Sequence, residues 1–136
     1  MNVAQRILLD TNVLLAMLLQ PERLPQETQA ALMDPSNLVW FSAASIWEIA
    51  IKGSLGKAQF SFRPEDIHQL ALASGVTELP IQAEHTFLVA TLPLHHKDPF
   101  DRLLVAQAMT LPAHFWTTDA ALAAYSPLVR TIAWNA

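Results

Sequence analysis

Four carboxylates are candidates for chemistry, because the sequence places them where acids are least expected. Asp10 and Asp119 follow short apolar stretches, Glu48 lies inside a strongly apolar helix, and Asp101 is on the inward face of another. Carboxylates crowded together repel one another and have raised pKa values, and a divalent cation removes that repulsion. Hard oxygen ligands of this kind suit Mg²⁺ or Mn²⁺. The pattern therefore predicts a metal site, provided that the fold brings these acids together.

Each of these acids also has a purely structural interpretation. Asp10 and Asp119 are each suited to cap the helix that follows, since Asp is a favoured N-cap residue. Glu48 is spaced to pair with Lys52 one turn later. Such a pair normally lies on a solvated face, and this helix has little of one. A carboxylate in an apolar setting is costly unless something compensates it, so for Glu48 we favour a functional role.

Asp98 and Asp101 open the same predicted helix. Asp98 precedes Pro99, which matches an N-cap followed by proline at the first helical position. Asp101 then falls at the third position, where an acid can reach back as in a capping box. Because Asp98 precedes the helix, we interpret it as the cap and Asp101 as the inward-facing acid.

Short apolar strands alternating with helices must position these side chains. Strands are predicted at 6–9, 38–41, 76–80, 113–117 and 129–132, a short extended piece at 60–62, and helices at 13–19, 26–33, 43–52, 63–74, 82–92, 98–109 and 120–125. This alternation predicts a three-layer α/β/α sandwich with a mainly parallel central sheet, forming a single domain over 1–136. Right-handed crossovers would bring the carboxyl ends of the strands to one edge, where ligands bind in such sheets.

Composition narrows the class of protein. The chain has 136 residues, 52% of them apolar, which suits one domain with a real core. The absence of cysteine excludes thiolate metal sites and fits a reducing compartment, so we expect a cytoplasmic protein. Neither a signal peptide nor a membrane span is predicted. The net charge of −4 argues against strong sequence-independent nucleic-acid binding, but not against a nuclease whose carboxylates hold cations.

Polar and basic side chains near the predicted strand ends are candidate helpers. Short side chains that could hold waters or phosphate oxygens, or act as ordinary caps, are Thr11, Asn12, Ser42, Thr117 and Thr118. Basic residues that could contact an RNA backbone, or be solvated surface charges, are Lys52, Lys57, Arg63, Lys97 and Arg102.

The remaining polar and aromatic features favour structural interpretations. His95 and His96 lie next to Asp98, and we interpret them as a loop pair rather than a metal or catalytic site, although they could meet a phosphate. Without cysteine, and without a histidine pair at helical spacing among the acids, a zinc site is not expected. The tryptophans at 40, 47, 116 and 134 suit the core or an interface better than base stacking.

Three blocks of this sequence resemble the signature blocks of PIN domains, most of all those of VapC-type toxins from bacterial toxin–antitoxin pairs. The blocks are LLDTN at 8–12, SAASIWEIAIK at 42–52 and HKDPFDRLLVAQA at 96–108. The resemblance implies a Mg²⁺- or Mn²⁺-dependent endoribonuclease with an α/β/α fold, usually dimeric and blocked by a cognate antitoxin. It assigns the metal-binding acids to Asp10, Glu48 and Asp101, with Asp119 as a more variable fourth. Relatives often carry His in place of Asn12 and an aromatic near 16–17, which bears on specificity.

The resulting hypothesis is a ribonuclease toxin in which a metal-activated water attacks the RNA phosphodiester. A haloacid dehalogenase-type phosphatase would need a second Asp where this chain has Asn12. A receiver-type module would need an acid pair after the first strand and a late Lys, neither of which is present. A catalytically silent PIN-fold module that binds nucleic acid or protein remains the alternative, and the intact acids argue against it.

Overall fold

The computed structural model describes residues 4–135, and its centre is a five-stranded parallel sheet. The strands are β1 (Arg6–Leu9), β2 (Leu38–Ser42), β3 (Thr77–Leu79), β4 (His114–Thr117) and β5 (Val129–Thr131). Their order across the sheet is β3-β2-β1-β4-β5, and every neighbouring pair is parallel. The first strand of the chain is therefore the central one.

Six α-helices cover the sheet. They are α1 (Thr11–Leu19), α2 (Gln26–Met33), α3 (Ala43–Ser54), α4 (Pro64–Ala73), α5 (Ala83–Thr91) and α6 (Pro99–Thr110). Short 3-10 helices occupy Pro21–Arg23, Ala58–Phe60 and Ala120–Ala124. The extended piece predicted at 60–62 is thus wrong. The helix predicted at 120–125 is a short 3-10 helix over Ala120–Ala124 and not an α-helix.

The alternation of side chains along β1 divides the core into two layers. Ile7 and Leu9 face the core formed mainly with α1, α2 and α4. Leu8 faces the other core, which α5 and α6 supply. Side chains on a strand point alternately to opposite faces, so a sheet with both faces buried needs a continuous apolar run. The predicted three-layer α/β/α fold is confirmed.

The register of the central strands determines where the site lies. Leu9 pairs with Phe41 of β2 on one side and with Trp116 of β4 on the other. The next residue along each strand is polar, and these three residues, Asp10, Ser42 and Thr117, therefore lie side by side at the carboxyl edge of the sheet. This is the edge at which open parallel sheets bind ligands.

The third helix differs from its prediction. Ala44, Glu48 and Ile49 are buried, but Trp47 and Leu55 are 52% and 69% exposed. We expected a helix buried nearly all round, and that prediction was wrong. Helix α3 contacts α4, α6 and the 3-10 helix at Ala58–Phe60, and these contacts leave part of its apolar surface exposed. Within residues 4–135, no helix is long and apolar enough to cross a membrane.

Candidate active site

Asp10 ends β1 and begins α1. Its backbone N–H donates to the Trp116 carbonyl at 2.9 Å, which extends the pairing with β4 by one residue. Its carboxylate accepts from the Thr11 backbone N–H at 2.7 Å and from the Thr117 hydroxyl at 2.6 Å. The side chain is the N-cap of α1 and is also 5% exposed at the sheet edge. The capping and site interpretations of Asp10 therefore describe the same side chain.

Glu48 faces Asp10 from the inner side of α3. One oxygen accepts a hydrogen bond from the Thr11 hydroxyl at 2.5 Å, and the other forms an ion pair with Lys52. The Lys52 ammonium also lies 3.5 Å from Asp98. The pair with Lys52 that the spacing predicted is present, but it lies at a buried position rather than on a solvated face, because Glu48 is only 4% exposed. Both oxygens of Glu48 are thereby fixed in place.

Asp101 has a different environment. Within residues 4–135, no hydrogen bond reaches its carboxylate, and the nearest basic atom is Nδ1 of His96 at 3.8 Å. Burial raises its pKa to about 8, and the charges of neighbouring acids add to the effect, those of Asp10, Asp98, Glu48 and Asp119. Asp98 is the N-cap of α6, as predicted, and accepts from the backbone N–H groups of Phe100 and Asp101. All four predicted acids therefore interact electrostatically at one place.

His96 belongs to this cluster, although its sequence context suggested an ordinary loop pair. Its Nδ1 accepts from the backbone N–H of Asp98 at 3.1 Å, so in the neutral ring Nε2 carries the proton. That Nε2 lies 2.8 Å from the Asp119 carboxylate and donates to it. The Tyr125 hydroxyl accepts the backbone N–H groups of His95 and His96 at 3.1 and 2.9 Å and holds the loop in place. No sequence signal links Tyr125 to this loop, since the two are 29 residues apart.

The cluster has the donor chemistry of a divalent-cation site. Within the described part of the chain, His96, Asp101 and Asp119 each place a ligand atom within 4.8 Å of the others. Burial and neighbouring acids raise the pKa of Asp101. A cation bound beside this carboxylate would remove the repulsion between the acids. The mainly oxygen donor set fits Mg²⁺ or Mn²⁺. That Asp10, Glu48, Asp101 and Asp119 ligate an ion stays a prediction.

Comparison with known proteins identifies the family. The sequence model of the PIN domain matches residues 7–126. The chain belongs to the PIN domain family. No curated protein matches the sequence significantly. Among solved structures, a chain from the crystal structure of VapBC2 from Rickettsia felis, bound to a DNA fragment from their promoter, has the same fold. The match has a TM-score of 0.67 and 16% identity, and it covers 96% of this chain and 100% of that one.

The helper residues of this PIN domain separate into two groups. Ser42 caps α3, donates to Gln107 at 2.5 Å and is 0% exposed, so of its two predicted interpretations the structure confirms the ordinary cap. Thr117 is buried too, but its hydroxyl serves the site through Asp10. Thr118 is half-buried at the bend before Asp119, and Asn12 is exposed on α1 beside the acids.

The basic residues also separate. Arg102 donates to the Val89 and Leu92 carbonyls at 3.2 and 2.9 Å and so satisfies the carboxyl end of α5. Its predicted contact with RNA is therefore wrong, because the guanidinium is used inside the fold. Lys97 is exposed in the loop beside His96 and remains available. Lys52 is half-buried between two acids and also borders a groove that leads away from them.

Proposed function

We propose that this PIN domain is a divalent-metal-dependent endoribonuclease and the toxin of a VapC-type toxin–antitoxin pair. The observation that carries the proposal is the Asp101 carboxylate, which lies among other acids with no hydrogen bond from residues 4–135. A carboxylate in that position is costly unless a cation binds to it. Membership of the PIN family and the fold shared with a VapBC2 chain support the same conclusion.

In this proposal Asp10, Glu48 and Asp101 hold Mg²⁺ or Mn²⁺ directly or through water, and Asp119 completes the set. When bound, such an ion neutralises the acids and activates a water for attack on the phosphodiester. The Thr11 hydroxyl orients Glu48, and the Thr117 hydroxyl orients Asp10. Hydrolysis forms a bond from the water oxygen to phosphorus and breaks the bond from phosphorus to a ribose oxygen.

We further propose two protein partners, a cognate antitoxin and a second copy of the chain, in the cytoplasm. The exposed apolar face of α3 supports this part of the proposal, since Trp47, Ile51 and Leu55 would leave water on association. The related structure is of VapBC2 with promoter DNA, which agrees with an antitoxin partner.

A cleavage assay tests the enzymatic proposal. Purified protein is incubated with single-stranded and stem-loop RNA in Mg²⁺, in Mn²⁺ or in EDTA, beside Asp101→Asn and the control Glu27→Gln, which changes an exposed acid on α2. Cleavage is expected with either metal in the native protein and in the control, and in no other sample. Cleavage that persists in Asp101→Asn would overturn the proposal. RNA binding without cleavage in both metals would favour the catalytically silent module.

A further inference from the structure

A groove with a volume of about 720 Å³ runs along α1 and meets the acid cluster at Lys52, which lines the groove and pairs with Glu48 and Asp98. Asn12 and Lys52 line the groove. Trp134, which is far from both in the sequence, lines it as well. Lys52 is shared between the groove and the cluster, because its ammonium pairs with Glu48 and Asp98. Whatever occupies the groove is therefore adjacent to the proposed cleavage site.

The charged side chains that line the groove are cationic, and one of them, Lys52, is also paired with Glu48 and Asp98. Its lining contains two cationic side chains, Arg23 and Lys52, and no acid, although the whole chain has a net charge of −4. Side-chain amides of Asn12, Gln20 and Gln59 provide further hydrogen-bonding groups. Cations attract phosphates, and amides can pair with the exposed edges of unstacked bases.

Arg23 and Trp134 form one wall of the groove. The Arg23 guanidinium sits 4.0 Å from the centre of the Trp134 ring. Asn135 holds this segment: its backbone N–H donates to the Arg23 carbonyl at 2.8 Å. Its side-chain amide donates to the Glu22 and Leu24 carbonyls at 2.9 and 2.8 Å. These three hydrogen bonds from Asn135 hold the wall in place, and none of them involves the Trp134 ring.

The opposite wall is built by close packing against α3. Phe60 is buried and Phe62 half-buried there, and the Lys52 ammonium lies 5.0 Å from the centre of the Phe60 ring. A Cβ atom at Gly53 would come within 2.8 Å of the Phe60 carbonyl oxygen, so only glycine lets this segment approach α3 so closely. The chain therefore brings aromatic side chains to both sides of the groove.

We propose that this groove binds a nucleotide of the RNA strand next to the scissile phosphate. The base lies against the side chains of Trp134 and Arg23, and the backbone phosphate lies near Lys52. Stacking on aromatic side chains and guanidinium planes, combined with a cationic groove, is the usual way in which proteins hold single-stranded RNA. The inference rests on the proposed function and adds a subsite that selects unpaired RNA.

Steady-state cleavage and direct binding test the subsite with matched variants. Trp134→Ala is compared with Trp134→Phe, which keeps an aromatic ring, and with Phe87→Ala, which removes an exposed aromatic from α5. Loss of one stacked base predicts a rise in KM of roughly 5- to 100-fold for Trp134→Ala with little change in kcat. Trp134→Phe recovers most of the affinity, and Phe87→Ala matches the native protein. Affinity of the metal, measured with Mn²⁺ alone, stays unchanged in all three.

Arg23→Gln supplies an independent measurement, because it leaves the Trp134 ring in place. Fluorescence anisotropy of a labelled single-stranded RNA on an Asp101→Asn background reports binding without cleavage. Removal of the guanidinium plane that contacts the base should weaken RNA affinity by roughly 5-fold or more, and the loss of one cation from the groove should make that affinity less dependent on salt. This variant also addresses the case in which Trp134→Ala fails to fold, since Arg23 is exposed.

The outcomes separate the two proposals. Native protein that neither binds nor cuts RNA contradicts the proposed function itself. Native protein that cuts RNA, with unchanged KM and RNA affinity in Trp134→Ala and Arg23→Gln, overturns the subsite alone. If these variants retain RNA affinity but lose affinity for a purified protein partner, the groove belongs to that partner and the nucleotide subsite is wrong.

Discussion

The acid cluster has two sides with opposite chemistry. On the sheet side, both oxygens of Asp10 and both oxygens of Glu48 have partners, and the two side chains are almost completely buried. On the loop side, Asp101 receives no hydrogen bond from residues 4–135, and its side chain is 14% exposed. The two most deeply buried acids are thus satisfied and Asp101 is not, although the more exposed Asp98 and Asp119 also have hydrogen-bond partners.

The pKa values follow from this difference. Burial raises the pKa of Asp10 to about 6, but the hydrogen bonds from Thr117 and Thr11 oppose the rise because they stabilise the charged form. For Asp101 burial and the neighbouring negative charges act in the same direction, and its pKa is about 8. The sheet side is therefore a preorganised framework, and the loop side is where a cation gains most.

The largest effect should come from removing the charge on either side. Asp101→Asn and Asp10→Asn are both expected to reduce the rate of RNA cleavage by more than roughly 100-fold. Mutation of a residue that only supports a metal ligand costs up to about that much, and loss of a ligand should cost more. Their folds should stay intact, since Asn can still cap α1 at position 10. Cleavage rates and circular dichroism measured in parallel check both statements.

Stability without a divalent cation should distinguish these two variants. In EDTA at about pH 8, Asp101→Asn is expected to raise Tm, because it removes a repelled charge that no hydrogen bond supports. Asp10→Asn should gain less, because the amide cannot accept from both Thr11 and Thr117. Equal changes in Tm for the two variants would contradict the comparison of the two sides.

His96→Ala should have the next largest effect on RNA cleavage, and it tests how the acids on the loop side are positioned. His96 acts through Asp119, and loss of such a supporting bond typically costs about 10- to 100-fold in metal affinity or activity. Titration with Mn²⁺ should show the weaker affinity directly. In a double-mutant cycle with Asp119→Asn the two losses should not add, because both remove one interaction. His95→Ala, an exposed neighbour, is the matched control, and an equal loss there would contradict the assignment.

Sequence reasoning predicted the sheet side well because its rules are local and topological. An apolar run that ends in an acid places that acid at the carboxyl end of a strand, and a parallel sheet brings such ends together. For Asp10 capping does not use the whole side chain, because one carboxylate oxygen caps α1 and the other accepts from Thr117. For Glu48 the pair with Lys52 and the buried position are likewise compatible.

The loop side could not be predicted in the same way. The contact of His96 with Asp119 depends on how 94–98 folds back over the 3-10 helix at Ala120–Ala124, and neither segment has a periodic pattern. The hydrogen bonds of Arg102 depend on where α5 ends, because that end places two backbone carbonyls close to its guanidinium. The exposed face of α3 was missed because hydrophobicity alone does not say whether the same chain covers an apolar face.

The pH dependence of stability gives a smaller, independent test. The pKa values of Asp10 and Asp101 in the folded, metal-free protein are about 6 and about 8, above the ordinary value of 3.8. The folded state then binds more protons than the unfolded state between about pH 4 and pH 8, so the free energy of unfolding falls as pH rises through this window. In EDTA we therefore expect Tm to fall as the pH rises from about 4 to about 8.

Two controls assign this loss to the cluster. Asp101→Asn should flatten the upper part of the curve, between about pH 6 and pH 8, because the raised pKa of Asp101, about 8, lies at the upper end of this range. Mn²⁺ should raise Tm more at pH 8 than at pH 5, since protons compete with the ion for the same carboxylates. An EDTA curve for the native protein that rises over this window would show that other groups dominate.

Tyr125→Phe should have the smallest effect on RNA cleavage of these substitutions, and it changes only the loop side. The substitution removes a hydroxyl that accepts two backbone N–H groups of the loop but keeps the ring that lies 5.0 Å from that of His95. Each such bond contributes about 0.5–1.5 kcal/mol, so cleavage should fall by roughly 2- to 10-fold, less than for His96→Ala. Because the change loosens the loop side and leaves the sheet side intact, Mn²⁺ affinity should weaken while the Asp10 and Glu48 contacts persist. A loss as large as that of His96→Ala would instead mean that the hydroxyl contacts the substrate or the ion.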